Sequence, residues 1–231
     1  MKRYVFLLLF IGFRFLSFTQ ASKKYIIQPG ESILEIIPQS EAFEYSKFEQ
    51  GVVYFKDGKR SSAKINYNFV YEEMLFIAAN GDTLTILNPG ETSSVVIGKD
   101  EFYYTGVRFV KLDTAIGNVK LGVSSFFAVL SKKKVGAYGT TTEGGTDSYS
   151  SFIVPNNTKL TLTPSIVTTV TRRKALFIGN KFNQFIPVTK KNIFSFYPEK
   201  EEQLKKYYQR KDVNFSSRKD IIELIAYMGG S

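Results

Sequence analysis

The chain has 231 residues, with 21 Phe and 14 Tyr but no Cys, His or Trp. Without thiol or imidazole it can form no disulfide, thiolate nucleophile, Cys/His zinc site, imidazole base or Ser-His-Asp triad. Any catalysis is left to carboxylates, Lys, Tyr or Ser, and the length suits one large domain or a domain with an appendage.

The formal charge of +10 is unevenly spread. Residues 22–130 hold 11 basic and 13 acidic side chains, net −2. Residues 131–198 hold 10 and 2, net +8, and residues 199–231 hold 7 and 6, net +1. Such asymmetry points to a polyanionic partner more than an even spread does.

Residues 1–21 read as a secretory signal peptide. Lys2 and Arg3 precede an apolar run, and Thr19 and Ala21 suit the −3 and −1 positions of a cleavage site. Arg14 interrupts the run, which is shorter than the ~20 apolar residues a spanning helix needs. Without cysteine there is no lipoprotein anchor. The expected location is therefore outside the cytoplasm, in the periplasm or associated with the outer membrane, with no transmembrane span after cleavage.

In residues 22–50, the stretch 32–37 is compatible with a short strand stopped by Pro38. Residues 51–87 read as four antiparallel strands in a row. Ala63, Ile65, Tyr67 and Phe69 alternate with Lys64, Asn66 and Asn68, which predicts an apolar face and a polar face. Asp57-Gly58 and Asn80-Gly81 are expected as two-residue primed turns, with positive φ at both central residues. Further strands are predicted at 94–97, 102–104, 107–112 and 119–130, rich in Val, Phe and Tyr.

Residues 135–157 carry four Gly and many Ser and Thr, and are expected as a long mobile loop. Strands resume at 159–162, 165–171, 174–178 and 182–188. Then the period changes. Thr189 is placed to cap a helix carrying Ile193, Phe194 and Tyr197. Pro198 suits a helical first turn, with Glu199, Glu201 and Glu202 near the positive end of the dipole. Ser217 and Asp220 have capping-box spacing ahead of Ile221, Ile222, Ile225 and Met228.

The expected fold is mainly β: an antiparallel meander, with seven to nine strands up to residue 130 and more after the loop, forming a curved sheet, sandwich or open barrel, with a short helical C-terminal tail. The organisation is a signal peptide at 1–21, a β domain at 22–188 with a loop at 135–157, and a tail at 189–231 packed on it.

The segments YFKDGKRSSAKINYNFVYEEMLFIAANGDTLTI at 54–86, GAYG at 136–139 and NFSSRKDIIELIAYM at 214–228 resemble exported, β-rich envelope proteins of Gram-negative bacteria with no assigned function. The resemblance covers most of the mature chain and rests on hairpin turns, a loop and a terminal helix. It implies export and fold, and brings no catalytic residue.

Two Ser-x-x-Lys spacings, Ser131 to Lys134 and Ser216 to Lys219, fall at an expected strand end and a solvated helix start, poor places for a dry Ser/Lys pair. The adjacent acids Glu72-Glu73 and Asp100-Glu101 face opposite sides of a strand, so neither pair converges by itself. Glu143 and Asp147 are too few for a calcium cage. No catalytic, cofactor-binding or metal-binding residue is assigned.

Two basic runs remain: Lys132, Lys133 and Lys134, then Arg172, Arg173 and Lys174. Read plainly, they protect strand edges and aid solubility. Read functionally, they form a cationic face for anionic glycolipid or acidic polysaccharide. Nucleic acid meets the same electrostatics, but export disfavours it. The expected function is a non-enzymatic envelope protein that binds a partner protein or an anionic envelope component. The alternatives are a carboxylate-based hydrolase of cell-surface sugars and a β-cup for an apolar ligand.

Overall fold

The computed structural model describes residues 23–135, 141–143 and 166–229. The expected signal segment at 1–21, the strand at 159–162 and most of the loop at 135–157 lie outside them. Twelve strands form one antiparallel sheet: β1 (Lys24–Ile27), β2 (Glu49–Phe55), β3 (Arg60–Asn68), β4 (Glu73–Ile77), β5 (Thr83–Thr85), β6 (Thr92–Ile97), β7 (Asp100–Tyr104), β8 (Phe109–Ile116), β9 (Val119–Val135), β10 (Thr141–Glu143), β11 (Val167–Gly179) and β12 (Phe185–Pro187). The order is β1-β11-β9-β8-β7-β6-β2-β3-β4-β5, with β10 on β9 and β12 on β11. The four-strand meander β2 to β5 is therefore present, and the expected curved sheet is realised as one open sheet, not as two packed sheets.

The sheet curls until its members meet again. The Phe127 N–H on β9 donates to the Phe69 carbonyl just past β3 at 3.3 Å, although four strands lie between β9 and β3 in the sheet order. Ile65, Tyr67, Phe69, Val95, Ile97, Phe102, Phe109 and Phe127 are buried together in the main core. Tyr67 and Phe69 meet edge to face, with centroids 5.7 Å apart, a geometry that suits the aromatic quadrupole.

The tail consists of α3 (Lys190–Phe196), α4 (Glu201–Arg210) and α5 (Arg218–Tyr227). Ile193, Leu204, Ile221, Leu224 and Ile225 share a second core with Val119, Leu121 and Ile178 of β9 and β11. The caps fall where the sequence places them. Thr189 Oγ1 accepts from Asn192 N–H at 3.1 Å, and Ser217 Oγ accepts from Asp220 N–H at 3.3 Å. Leu224 is fully buried while Ile222 is only partly so, a slightly different face from the one expected.

Several expectations are corrected. Residues 32–37 are not a strand: α1 (Ile33–Ile36) forms, because Ile33 and Ile37 lie one turn apart and both bury, with Ile37 N–H on the Ile33 carbonyl at 2.9 Å. A second short helix, α2 (Gln39–Ala42), follows Pro38. The stretches expected at 165–171 and 174–178 are not separate: from residue 167 on they are one strand, because pairing with β9 continues through Arg172 and Arg173. Within 135–157, Thr141–Glu143 pairs with β9 as β10.

The two hairpin turns also differ. Gly58 (φ 84°) and Gly81 (φ 90°) are left-handed, but Asp57 and Asn80 are not. Gly58 N–H bonds to the Phe55 carbonyl and Gly81 N–H to the Ala78 carbonyl, so each loop has three residues closed by a left-handed glycine. Asp57 and Asn80 instead accept from the N–H two residues on, at Lys59 and Asp82. On β3 the polar row is only partly solvated: Lys64 is exposed, but Asn66 and Asn68 are buried, because they serve backbone groups. Asn66 bonds to Tyr45 N–H and to the Tyr45 and Lys47 carbonyls, and Asn68 Oδ1 accepts from Val70 and Tyr71 N–H.

Candidate functional site

The two basic runs lie on neighbouring strands, β9 and β11. Their register separates them: Lys132 is opposite Thr168 and Lys133 opposite Val167, while Arg172 is opposite Phe127, Arg173 opposite Phe126 and Lys174 opposite Ser125. Directly opposed residues of an antiparallel pair share a face. Alternation along β11 then puts Lys132, Arg172 and Lys174 on the face that carries Phe127, and Lys133 and Arg173 on the other. Along β11 the span from Thr168 to Lys174 is about 20 Å at the usual rise.

Their environments differ more than their spacing. Lys132, Arg173 and Lys174 are exposed, and no acid is in contact with them among the described residues. Lys133 is half-buried and already engaged. The Lys134 side chain lies outside the described ones. Arg172 is drawn inward: its guanidinium sits 3.7 Å from the Phe69 ring centroid and 4.0 Å from Glu44 Oε2. Burial lowers its pKa, and Glu44 and Glu41 only partly restore it.

Arg172 belongs to a four-charge cluster, with Glu44, Asp100 and Lys111, that sequence reading missed. Lys111 of β8 contacts Glu44 Oε1 and lies 3.5 Å from Asp100 Oδ2, and Tyr45 donates to Asp100 Oδ2 at 2.7 Å. Burial opposes the Lys111 charge, but the hydrogen bond and attraction of Glu44, joined by Asp100, outweigh it and raise its pKa. Burial, then the Asp100 hydrogen bond, raises that of Tyr45. Glu44 and Asp100 do converge, but on a shared lysine, and Lys111 and Arg172 together balance their charge. They are distant in sequence, so no local spacing announced them.

The second buried pair joins the β3–β4 turn to the β7–β8 turn. Glu72 sits at φ 59° with its side chain 6 % exposed, and Arg108 with its side chain 10 % exposed. Arg108 Nε lies 3.1 Å from Glu72 Oε2, off the line of a hydrogen bond, and the guanidinium stacks 4.3 Å from the Phe126 ring centroid. Burial pushes the Glu72 carboxyl up to about 7, with Arg108 offsetting only part of the cost. Glu73, its neighbour, is exposed.

Of the two Ser-x-x-Lys spacings, Ser216 to Lys219 forms no reactive pair, and Ser131 to Lys134 involves a lysine side chain outside the described ones. Ser131 is on β9, and Lys219 is 84 % exposed, 3.9 Å from Glu223. Among the described residues no group of three metal-ligating side chains occurs, and no helix is long and apolar enough to cross a membrane. Comparison with protein-family models, with curated proteins and with solved structures finds no match to this chain.

Proposed function

We propose that this chain is an exported, non-enzymatic envelope protein, of the kind its sequence resembles, that binds phosphate or carboxylate groups of anionic glycolipid or acidic polysaccharide along β9 and β11. The observation that carries the reading is the pair of exposed lysines, Lys132 and Lys174, on one face of paired strands, with no acid in contact with them among the described residues. The +8 segment supplies these residues, so the local field attracts polyanions. Arg172 serves the fold instead, held by Phe69 and Glu44.

The hydrolase alternative finds less support. Glu44 and Asp100 are balanced by Lys111 and Arg172, and Glu72, the carboxyl with a pKa near 7, is buried against Arg108. A glycosidase needs an acid and a base that both reach substrate.

Co-sedimentation with anionic and neutral vesicles, and with a soluble acidic polysaccharide, at low and high salt tests the proposal. Binding should be confined to the anionic ligands and fall with salt, since charges are screened beyond about 8 Å at physiological ionic strength. The Lys132→Gln/Lys174→Gln variant should bind less at unchanged stability. Equal binding to neutral vesicles, or parental binding by the variant, would refute it.

A further inference from the structure

The outer face of β2, β6 and β7 holds an open groove of about 580 Å³, separated from β9 and β11 in the sheet order by β8 and lined by none of the residues of the basic runs. Its floor is set by strand pairing: Tyr54 lies opposite Ser94, and Val96 opposite Glu101. Its rims are hairpin loops that bring Lys59 and Lys99.

An irregularity shapes it. The β2–β6 register shifts between Tyr54 and Phe55, whose partners are Ser94 and Thr92, so Ser93 is an extra residue on β6. In a regular strand neighbours point to opposite faces; a bulge re-aims one of them. Here both Ser93 and Ser94 line the groove. Tyr54 as a residue is 38 % exposed, belongs to no core cluster and lines the groove.

The charges nearly cancel. Lys59 is held by Asp57 at 2.8 Å, which leaves in the lining one ammonium, Lys99, and one carboxylate, Glu101, which also interacts with Tyr103. An exposed tyrosine, two hydroxyls and one group of each charge form a set that fits a polyhydroxylated ring. The C–H face of a sugar stacks on Tyr54, and its hydroxyls donate to Glu101 and accept from Lys99. A lipid tail would need a more apolar and enclosed lining.

We propose that this groove binds a neutral hexose unit of a polysaccharide, with Tyr54 as its platform and Ser93, Ser94, Lys99 and Glu101 as its polar contacts. The proposal does not rest on the cationic reading of β9 and β11.

The test is a titration of the isotope-labelled full chain with cellobiose, with the disaccharide of N-acetylglucosamine and with glucuronic acid, followed by amide chemical shifts at two salt concentrations. Expected are saturable shifts at Tyr54, Ser93, Ser94, Lys99 and Glu101 with a neutral disaccharide, at millimolar affinity and indifferent to salt. Tyr54→Ala should weaken binding about tenfold, equivalent to about 1.4 kcal/mol, while Tyr54→Phe, which keeps the ring, should bind as the parent. Glu101→Gln is the second variant and should also bind more weakly. No saturable shift with either disaccharide, parental binding by Tyr54→Ala, or a salt-sensitive preference for glucuronic acid would overturn the proposal. Shifts confined to Lys132 and Lys174 would likewise overturn it, while favouring the cationic face.

Discussion

Glu72→Gln separates the cost of burying a charge from the value of an ion pair. The Glu72 carboxyl rises from an ordinary 4.5 to about 7 in the folded chain. Its folded pKa is therefore above its unfolded one. The stabilisation is fully present below the unfolded pKa and is lost as pH rises through the folded pKa. At ~1.4 kcal/mol per pKa unit, the parent should lose about 3 kcal/mol from this group between about pH 4.5 and pH 8. The glutamine is neutral throughout and similar in shape. At about pH 5 the two proteins carry the same charge around Arg108 and should be nearly equal in stability. At about pH 8 the variant should be the more stable by up to that ~3 kcal/mol, because Arg108 does not fully repay the desolvation of the carboxylate. Urea unfolding followed by circular dichroism at several pH values reads the difference, and other titrating groups cancel in the comparison. A variant-minus-parent stability that stays flat from about pH 5 to pH 8, or that falls, would refute the reasoning. Glu72→Ala is the contrasting case: it adds a cavity to a buried Arg108 and should destabilise at every pH.

Other tests address the fold and its processing. A Cβ at Gly122 would stand 2.3 Å from Val110 Cγ1 and 3.2 Å from the Lys111 carbonyl, so Gly122→Ala should cost ~1–3 kcal/mol in denaturant unfolding. Leu224→Ala should cost ~2–5 kcal/mol by the same assay, since the side chain is fully buried between α5 and the sheet; a loss below ~1 kcal/mol would mean the tail is loosely held. Gly81→Val places a β-branched residue at φ 90° and should lower the free energy of unfolding by at least ~1 kcal/mol, although the space around it is open; an unchanged denaturation midpoint would refute this. Mass spectrometry of protein recovered from the envelope should show a terminus near residue 22; an intact Met1 would refute signal cleavage.

What the sequence determined by itself was local. Alternation along β3 announced the meander, and Thr189 and Ser217 announced the helix starts, because strand faces and caps depend on residues two to four apart. The left-handed glycines of the hairpins were legible for the same reason, though not the length of each loop, which depends on how the flanking strands twist together. The tertiary structure alone decided which polar groups are spent on the fold. Arg172 and Lys174 are two residues apart on one strand face, yet one is stacked on Phe69 and the other is exposed. Glu44, Asp100 and Lys111 converge only because the sheet curls, and Glu72 meets Arg108 only because two turns close over Phe126. The groove at Tyr54 depends on one extra residue in β6, a shift in pairing that no spacing within either strand records. Charge burial and register are set by chain segments brought together from far apart, and their energies appear only when those segments pack.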